Sequence, residues 1–127
     1  MRLYHFSDKN FSVLKPDFFG ENSYTNNDAK FPLKRFFCYN TSAPSEYRFK
    51  ASNFRYVIRI KDKLIYNLDK DILGLKNRFN FDIDKILLFC AKKYHAIEYT
   101  TSFKTYAIFK AYKIFQKENL ILGKAWQ

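Results

Sequence analysis

Two histidines, a few acids and two thiols are the residues of this chain whose chemistry could reach beyond packing. LYHFSDKNF, residues 3–11, sets His5 in the middle of an apolar, strand-like run. An imidazole donates from one nitrogen and accepts at the other, so this ring is either a packed, hydrogen-bonded core residue or a ligand-binding group. His95, beside Lys93 and Tyr94 at the end of a helical stretch, reads as a surface or C-capping residue, with phosphate contact as the functional alternative. Glu98 in HAIEY is either a solvated strand residue or a carboxylate available for chemistry. Asp69 and Asp71 in NLDKD have no third ligand at metal-binding spacing and read as a turn. No structural metal is expected. Cys38 in FFCYN and Cys90 in LLFCAKK are too far apart for a zinc knuckle, and their apolar neighbours predict buried free thiols in a reducing compartment.

Positioning these residues requires ordered elements, and the sequence marks most of them. Leu3 to Phe6 reads as a first strand, ended by SDKN, whose Ser, Asp and Asn favour turns through local side-chain to backbone bonds. DFFGENSYTNND reads as a long loop carrying Tyr24, RFFCY (Arg35 to Tyr39) as a strand or short helix, and NTSAPSE as a loop whose Pro44 stops either one. FRYVIRI (Phe54 to Ile60), with its β-branched and aromatic residues, predicts a strand, followed by a turn at KDK and a second strand, LIYNL. In DIDKILLFCAKK, Ile83, Ile86, Leu87 and Cys90 recur at helical spacing behind Asp82 as N-cap, and Lys92 and Lys93 sit where the helix dipole favours cations. HAIEY and TYAIFKAYKI read as two further strands. Strands, one clear helix and strands again predict an α+β domain.

The bulk properties limit what that domain does. The 127 residues suffice for one domain, 1–127, and are too few for two ordinary ones. Aromatic residues make up 20% of the chain, with fifteen Phe and ten Tyr, which excludes a disordered chain and predicts a ring-rich core. The net charge of +11 points to an anionic partner. From Lys85 onward the acids are Glu98 and Glu118 alone, against Lys85, Lys92, Lys93, Lys104, Lys110, Lys113, Lys117 and Lys124, so one end is either a positive face for an acidic protein or nucleic acid or a solvated lysine surface. There is no long apolar leader and no run near the roughly 20 apolar residues that span a bilayer. A cytoplasmic protein with no membrane partner is the expectation.

The order of these segments resembles the ADP-ribosyltransferase-like fold, the NAD-binding split sheet of bacterial toxins and phage effectors. LYHFS is similar to that family's opening strand with its histidine, and FFGENSYTNND to the glycine-containing loop and Tyr-Thr that follow. YVIRIKDKLIYNLD resembles the mid-domain strand pair, ILLFCAKKYHAIEY the helix, turn and strand, and TYAIFKAYKI the last strand. The resemblance implies an α+β split β-sheet with few helices and NAD as the substrate. It maps His5 onto the ribose-binding histidine, sets Tyr24 against the nicotinamide ring with Tyr39 as its substitute if the loop is offset, and brings Arg35 to the pyrophosphate. The family's end-strand glutamate, which stabilises the oxocarbenium-like transition state, corresponds to Thr105, an uncharged residue whose use there would forfeit several kcal/mol of electrostatic stabilisation. Glu98, one strand earlier, is the nearest carboxylate.

Three functions follow as expectations. The first is an NAD-dependent ADP-ribosyltransferase-like effector, phage-encoded or toxin-like, that modifies or inhibits a host or defence-system macromolecule. The second is a catalytically silent descendant that binds a nucleotide signal or a protein partner. The third is a basic nucleic-acid-binding module, in which lysines meet phosphates and exposed rings stack on bases.

Overall fold

The computed structural model describes residues 1–16, 34–40, 52–101 and 103–120. Tyr24, most of the loops predicted around it and around Pro44, Ser102 and Lys124 lie outside the described residues. The chain is α+β with few helices: β1 (Arg2–Ser7), β2 (Val13–Leu14), β3 (Phe36–Tyr39), β4 (Phe54–Arg59), β5 (Ile65–Asn67), α1 (Leu75–Arg78), α2 (Ile83–Lys93), β6 (Ala96–Thr100), β7 (Lys104–Ile108), β8 (Tyr112–Lys113) and β9 (Gln116–Asn119). A seven-stranded sheet runs β5-β6-β7-β3-β1-β4-β9, and β2 and β8 form a separate two-stranded pair. All neighbours in the large sheet are antiparallel except β5 and β6, which are parallel. Parallel strands need a crossover connection, and residues 68–95, with both helices, supply it.

RFFCY resolves as strand, since Phe36 and Cys38 face one side while Phe37 and Tyr39 face the other, and β3 pairs with both β1 and β7. KDK forms a single 3-10 turn at Asp62–Leu64. TYAIFKAYKI is not one strand. Phe109 donates its N–H to the carbonyl of His95 at 2.8 Å, the chain bends at Lys110, and Tyr112 and Lys113 then pair with Leu14 and Val13 outside the large sheet. The charged β9, QKEN, has no apolar period for a sequence reading to detect. It is the edge strand beside β4, where charge hinders pairing with another chain.

Residues opposed in register share a face of the sheet. One face carries Leu3, Phe36, Cys38, Tyr56, Ile58, Ala96, Tyr106 and Ile108, packed under Leu14 with Phe11, Tyr112 and Ile114 around it. On the other face Tyr66, Ile97, Ala107 and Phe109 meet Leu75, Ile86, Leu87 and Cys90 from the helices. Burying Ile86 and Leu87 stabilises this layer by about 1.5–3 kcal/mol each. Asp82 caps α2 by accepting from the N–H groups of Asp84 and Lys85 at 3.1 and 3.3 Å, a cap of about 1 kcal/mol. Ile83, in the same periodic set, remains exposed at the first position of the helix.

The paired acids of NLDKD brace this crossover. Asp69 accepts from the N–H of Thr100 at 3.1 Å and from its hydroxyl. Asp71, at φ 45°, accepts from the Tyr66 hydroxyl and from the N–H groups of Leu75 and Lys76 at 2.9 and 3.0 Å. Gly74 sits at φ 64° with open space where a Cβ would be, so conformation rather than crowding demands glycine there.

Candidate functional site

The strand registers place His5 and Glu98 in a single row across the sheet. His5 opposes Tyr56 on β4. On the other side Tyr4 opposes Tyr39, which sets His5 against Cys38. Cys38 opposes Tyr106, Tyr106 opposes Glu98, and Glu98 opposes Asn67. All six side chains therefore project from one face. With strands about 4.8 Å apart, three steps separate His5 from Glu98 by roughly 14 Å of backbone. Cys38 and Tyr106 fill the space between them and are buried in the core beneath β2 and β8.

His5 is itself buried, edge-on to Phe36 with ring centroids 5.5 Å apart. Its Nδ1 lies 2.6 Å from the carbonyl oxygen of Phe37. Burial pushes the ring's pKa below its ordinary value, an effect partly offset by that hydrogen bond. A carbonyl only accepts, so Nδ1 carries the proton and the neutral ring keeps its lone pair on Nε2.

Glu98 is buried, 6% exposed, rather than solvated. Asn67 donates Nδ2–H to its Oε2 at 2.8 Å, and the half-exposed Lys104 brings Nζ to 4.0 Å from the same oxygen. Tyr106 opposes Glu98 in register, and burial, together with the interaction with that carboxylate, raises the tyrosine's pKa well above its usual value. The carboxylate thus accepts from Asn67 and has a cation beside it, as befits a satisfied buried acid.

The remaining candidates face the opposite way. Thr105 opposes Tyr39 and Tyr99, so it shares the helix-side face and not the face of His5 and Glu98. It is buried, and its hydroxyl reaches the Phe103 carbonyl at 3.3 Å. Tyr39 packs against Phe103 and Phe6, with ring centroids at 5.1 and 6.4 Å. Arg35 is buried, with its guanidinium 5.4 Å from the Phe37 ring centroid. The sheet therefore brings His5 and Glu98 to one side and Thr105, Tyr39 and Arg35 to the other. His95 is neither a cap nor a surface residue. It is half-buried, and its Nδ1 lies 2.7 Å from the Tyr112 hydroxyl. Among the described residues no cluster of three or more His, Cys, Asp or Glu could hold a metal ion.

A surface not anticipated from the sequence lies at the β1–β4–β9 end. Arg2 and Arg59 oppose each other directly across β1 and β4. Phe115, 49% exposed, lies against both, with the Arg59 guanidinium 3.5 Å and the Arg2 guanidinium 5.9 Å from its ring centroid. Arg59, Tyr112, Lys113, Ile114 and Phe115 line a depression of about 370 Å³. Lys61 and Lys63, which follow Arg59 closely in the chain, are exposed. Two acids here already have partners: Asp62 pairs with the N-terminal amine at 3.2 Å, and Glu118 with Arg55. The signal in the sequence was FRYVIRI itself, whose interleaved arginines mark a cationic strand face. Their convergence with Phe115 depends on pairing between distant segments. No family model, curated protein or solved structure matches the chain, so its functional assignment rests on these surfaces.

Proposed function

We propose that this protein binds nucleic acid through the cationic and aromatic edge built from β1, β4 and the segment leading into β9. One observation carries the proposal: Arg2 and Arg59 oppose each other directly across β1 and β4, and among the described residues neither forms an ion pair with an acid. Like charges directly opposed on a sheet cost stability, and a phosphate seated between them would offset that cost. Lys61, Lys63 and Lys113 add positive charge within reach of the same strand, consistent with the chain's net charge of +11. The test is fluorescence anisotropy with a labelled oligonucleotide across a salt series. If four of these cations meet phosphates of a single strand, log K should fall with log salt at a slope of about −2.8. Arg2→Ala and Arg59→Ala should each reduce that slope by about 0.7. Absence of binding at low salt would overturn the proposal.

A second reading is the ADP-ribosyltransferase-like effector that takes NAD as substrate, or its catalytically silent, nucleotide-binding descendant. Its support is the placement of His5 and Glu98 on one face, with a neutral imidazole and a carboxylate in the same row. In this reading Glu98 takes the charge-stabilising role, because Thr105 faces away. Incubation with nicotinamide-labelled NAD tests it: cleavage abolished by Glu98→Gln supports transfer, binding without cleavage supports the silent form, and neither removes both.

A further inference from the structure

We infer that the depression beside Phe115 takes one unpaired nucleotide, so that this edge selects single-stranded nucleic acid over duplex. The inference rests on the nucleic-acid reading and adds to it the form of the ligand. Its basis is the composition of the depression: two rings, Phe115 and Tyr112, stand with two cations, Arg59 and Lys113, around the apolar side chain of Ile114. A purely phosphate-binding surface has no use for an exposed ring such as Phe115, and a purely apolar pocket has none for flanking cations. A nucleotide unit uses both, since its base offers a flat π-face to an aromatic ring while its phosphate meets arginine and lysine.

The elements of the site are held in place before any ligand arrives. Phe115 is anchored through its backbone N–H, which donates to the carbonyl of Val57 at 2.8 Å. Arg59 lies over the Phe115 ring, where the attraction between cation and π-face sets both side chains. The Tyr112 hydroxyl is tied to His95, and the two rings meet edge-on at 5.8 Å. Little side-chain entropy remains to be lost on binding. The volume, about 370 Å³, lies at the small end of ligand sites and suits one nucleotide unit rather than a dinucleotide. In a duplex the base faces are stacked on one another and unavailable to Phe115, which leaves only the phosphate contacts.

The experiment compares a labelled 12-nucleotide strand, as DNA and as RNA, with the same sequence annealed to its complement, by anisotropy at one fixed salt concentration. Either single strand should bind at least about tenfold more tightly than its duplex. Phe115→Ala should weaken single-strand binding by about tenfold and leave duplex binding within twofold, whereas Phe115→Trp should preserve the single-strand preference. Arg59→Ala should weaken both forms. Equal affinity for strand and duplex, or a Phe115→Ala variant of unchanged preference, would overturn the inference while leaving nucleic-acid binding standing. No binding to any of the four ligands at low salt would overturn both. Circular dichroism of each variant establishes that the fold is retained, and Phe115→Leu, which keeps apolar bulk without a π-system, should behave as Phe115→Ala does.

Discussion

Replacing Glu98 by glutamine should destabilise the protein by about 2 kcal/mol while leaving any nucleic-acid affinity within twofold of wild type. The magnitude follows from the partners of the carboxylate. It accepts from Asn67 at 2.8 Å, lies opposite Tyr106, and is 6% exposed. A hydrogen bond to a charged group contributes about 1.5–3 kcal/mol net, roughly twice a neutral one. Glutamine keeps the shape but carries no charge, so the bond from Asn67 and the interaction with Tyr106 both weaken, a change of about 3 kcal/mol. Relief of carboxylate desolvation returns part of this. Lys104, half-exposed at 4.0 Å, contributes less than about 1 kcal/mol. With a urea m-value of about 1.5 kcal/mol per molar, the unfolding midpoint followed by circular dichroism should fall by roughly 1.3 M. A double-mutant cycle with Tyr106→Phe should return a coupling of about 1 kcal/mol. A midpoint unchanged within about 0.3 M, or one that rises, would refute the assignment of Glu98 to a satisfied buried network.

Acid should act on two other groups in separate windows. The folded pKa of His5 is lowered, so the unfolded chain binds its proton first; the stability His5 confers is complete above about pH 6.5 and declines as pH falls through the lower folded value. His5→Phe should abolish the decline in that window, and an unchanged pH profile by urea titration would count against a neutral buried ring. For Asp71, burial would raise the carboxyl's pKa, but the bonds from the Tyr66 hydroxyl and the Lys76 and Leu75 amides, with the Lys76 charge, hold it below the usual carboxylate range. Its stabilisation is present above about pH 4 and is lost as pH drops through the folded value. The stability gap between wild type and Asp71→Asn should therefore narrow from pH 5 towards pH 2, and a constant gap would exclude the charge as its source. Burial pushes the Cys38 thiol well up and, with the Asp71 charge, raises Cys90 to about 12. Both are fully buried, so a disulfide reagent should label neither until urea unfolds the chain; rapid native labelling of either would contradict the packing.

Local pattern alone determined much of the architecture, because short-range physics sets it. The alternation in LYHFS, the β-branched run of FRYVIRI and the spacing of Ile86, Leu87 and Cys90 behind the Asp82 cap each specify an element through contacts within a few residues. Composition likewise determined the aromatic core and the positive charge. Tertiary structure decided what those elements bring together. TYAIFKAYKI carries a strand pattern throughout, yet it divides because Tyr112 finds its partner in Leu14 rather than in β6. The charged QKEN becomes a strand only because β4 offers it an edge. Glu98 and Thr105 lie on adjacent strands, but Tyr106 opposes Glu98 and Thr105 opposes Tyr99, which puts the two candidates on opposite faces. Side chains alternate with period two, so a single residue of register decides a face. That register is set by long-range pairing, as is the meeting of Arg2, Arg59 and Phe115 from three separate segments, and neither is recorded in the order of residues along any one strand.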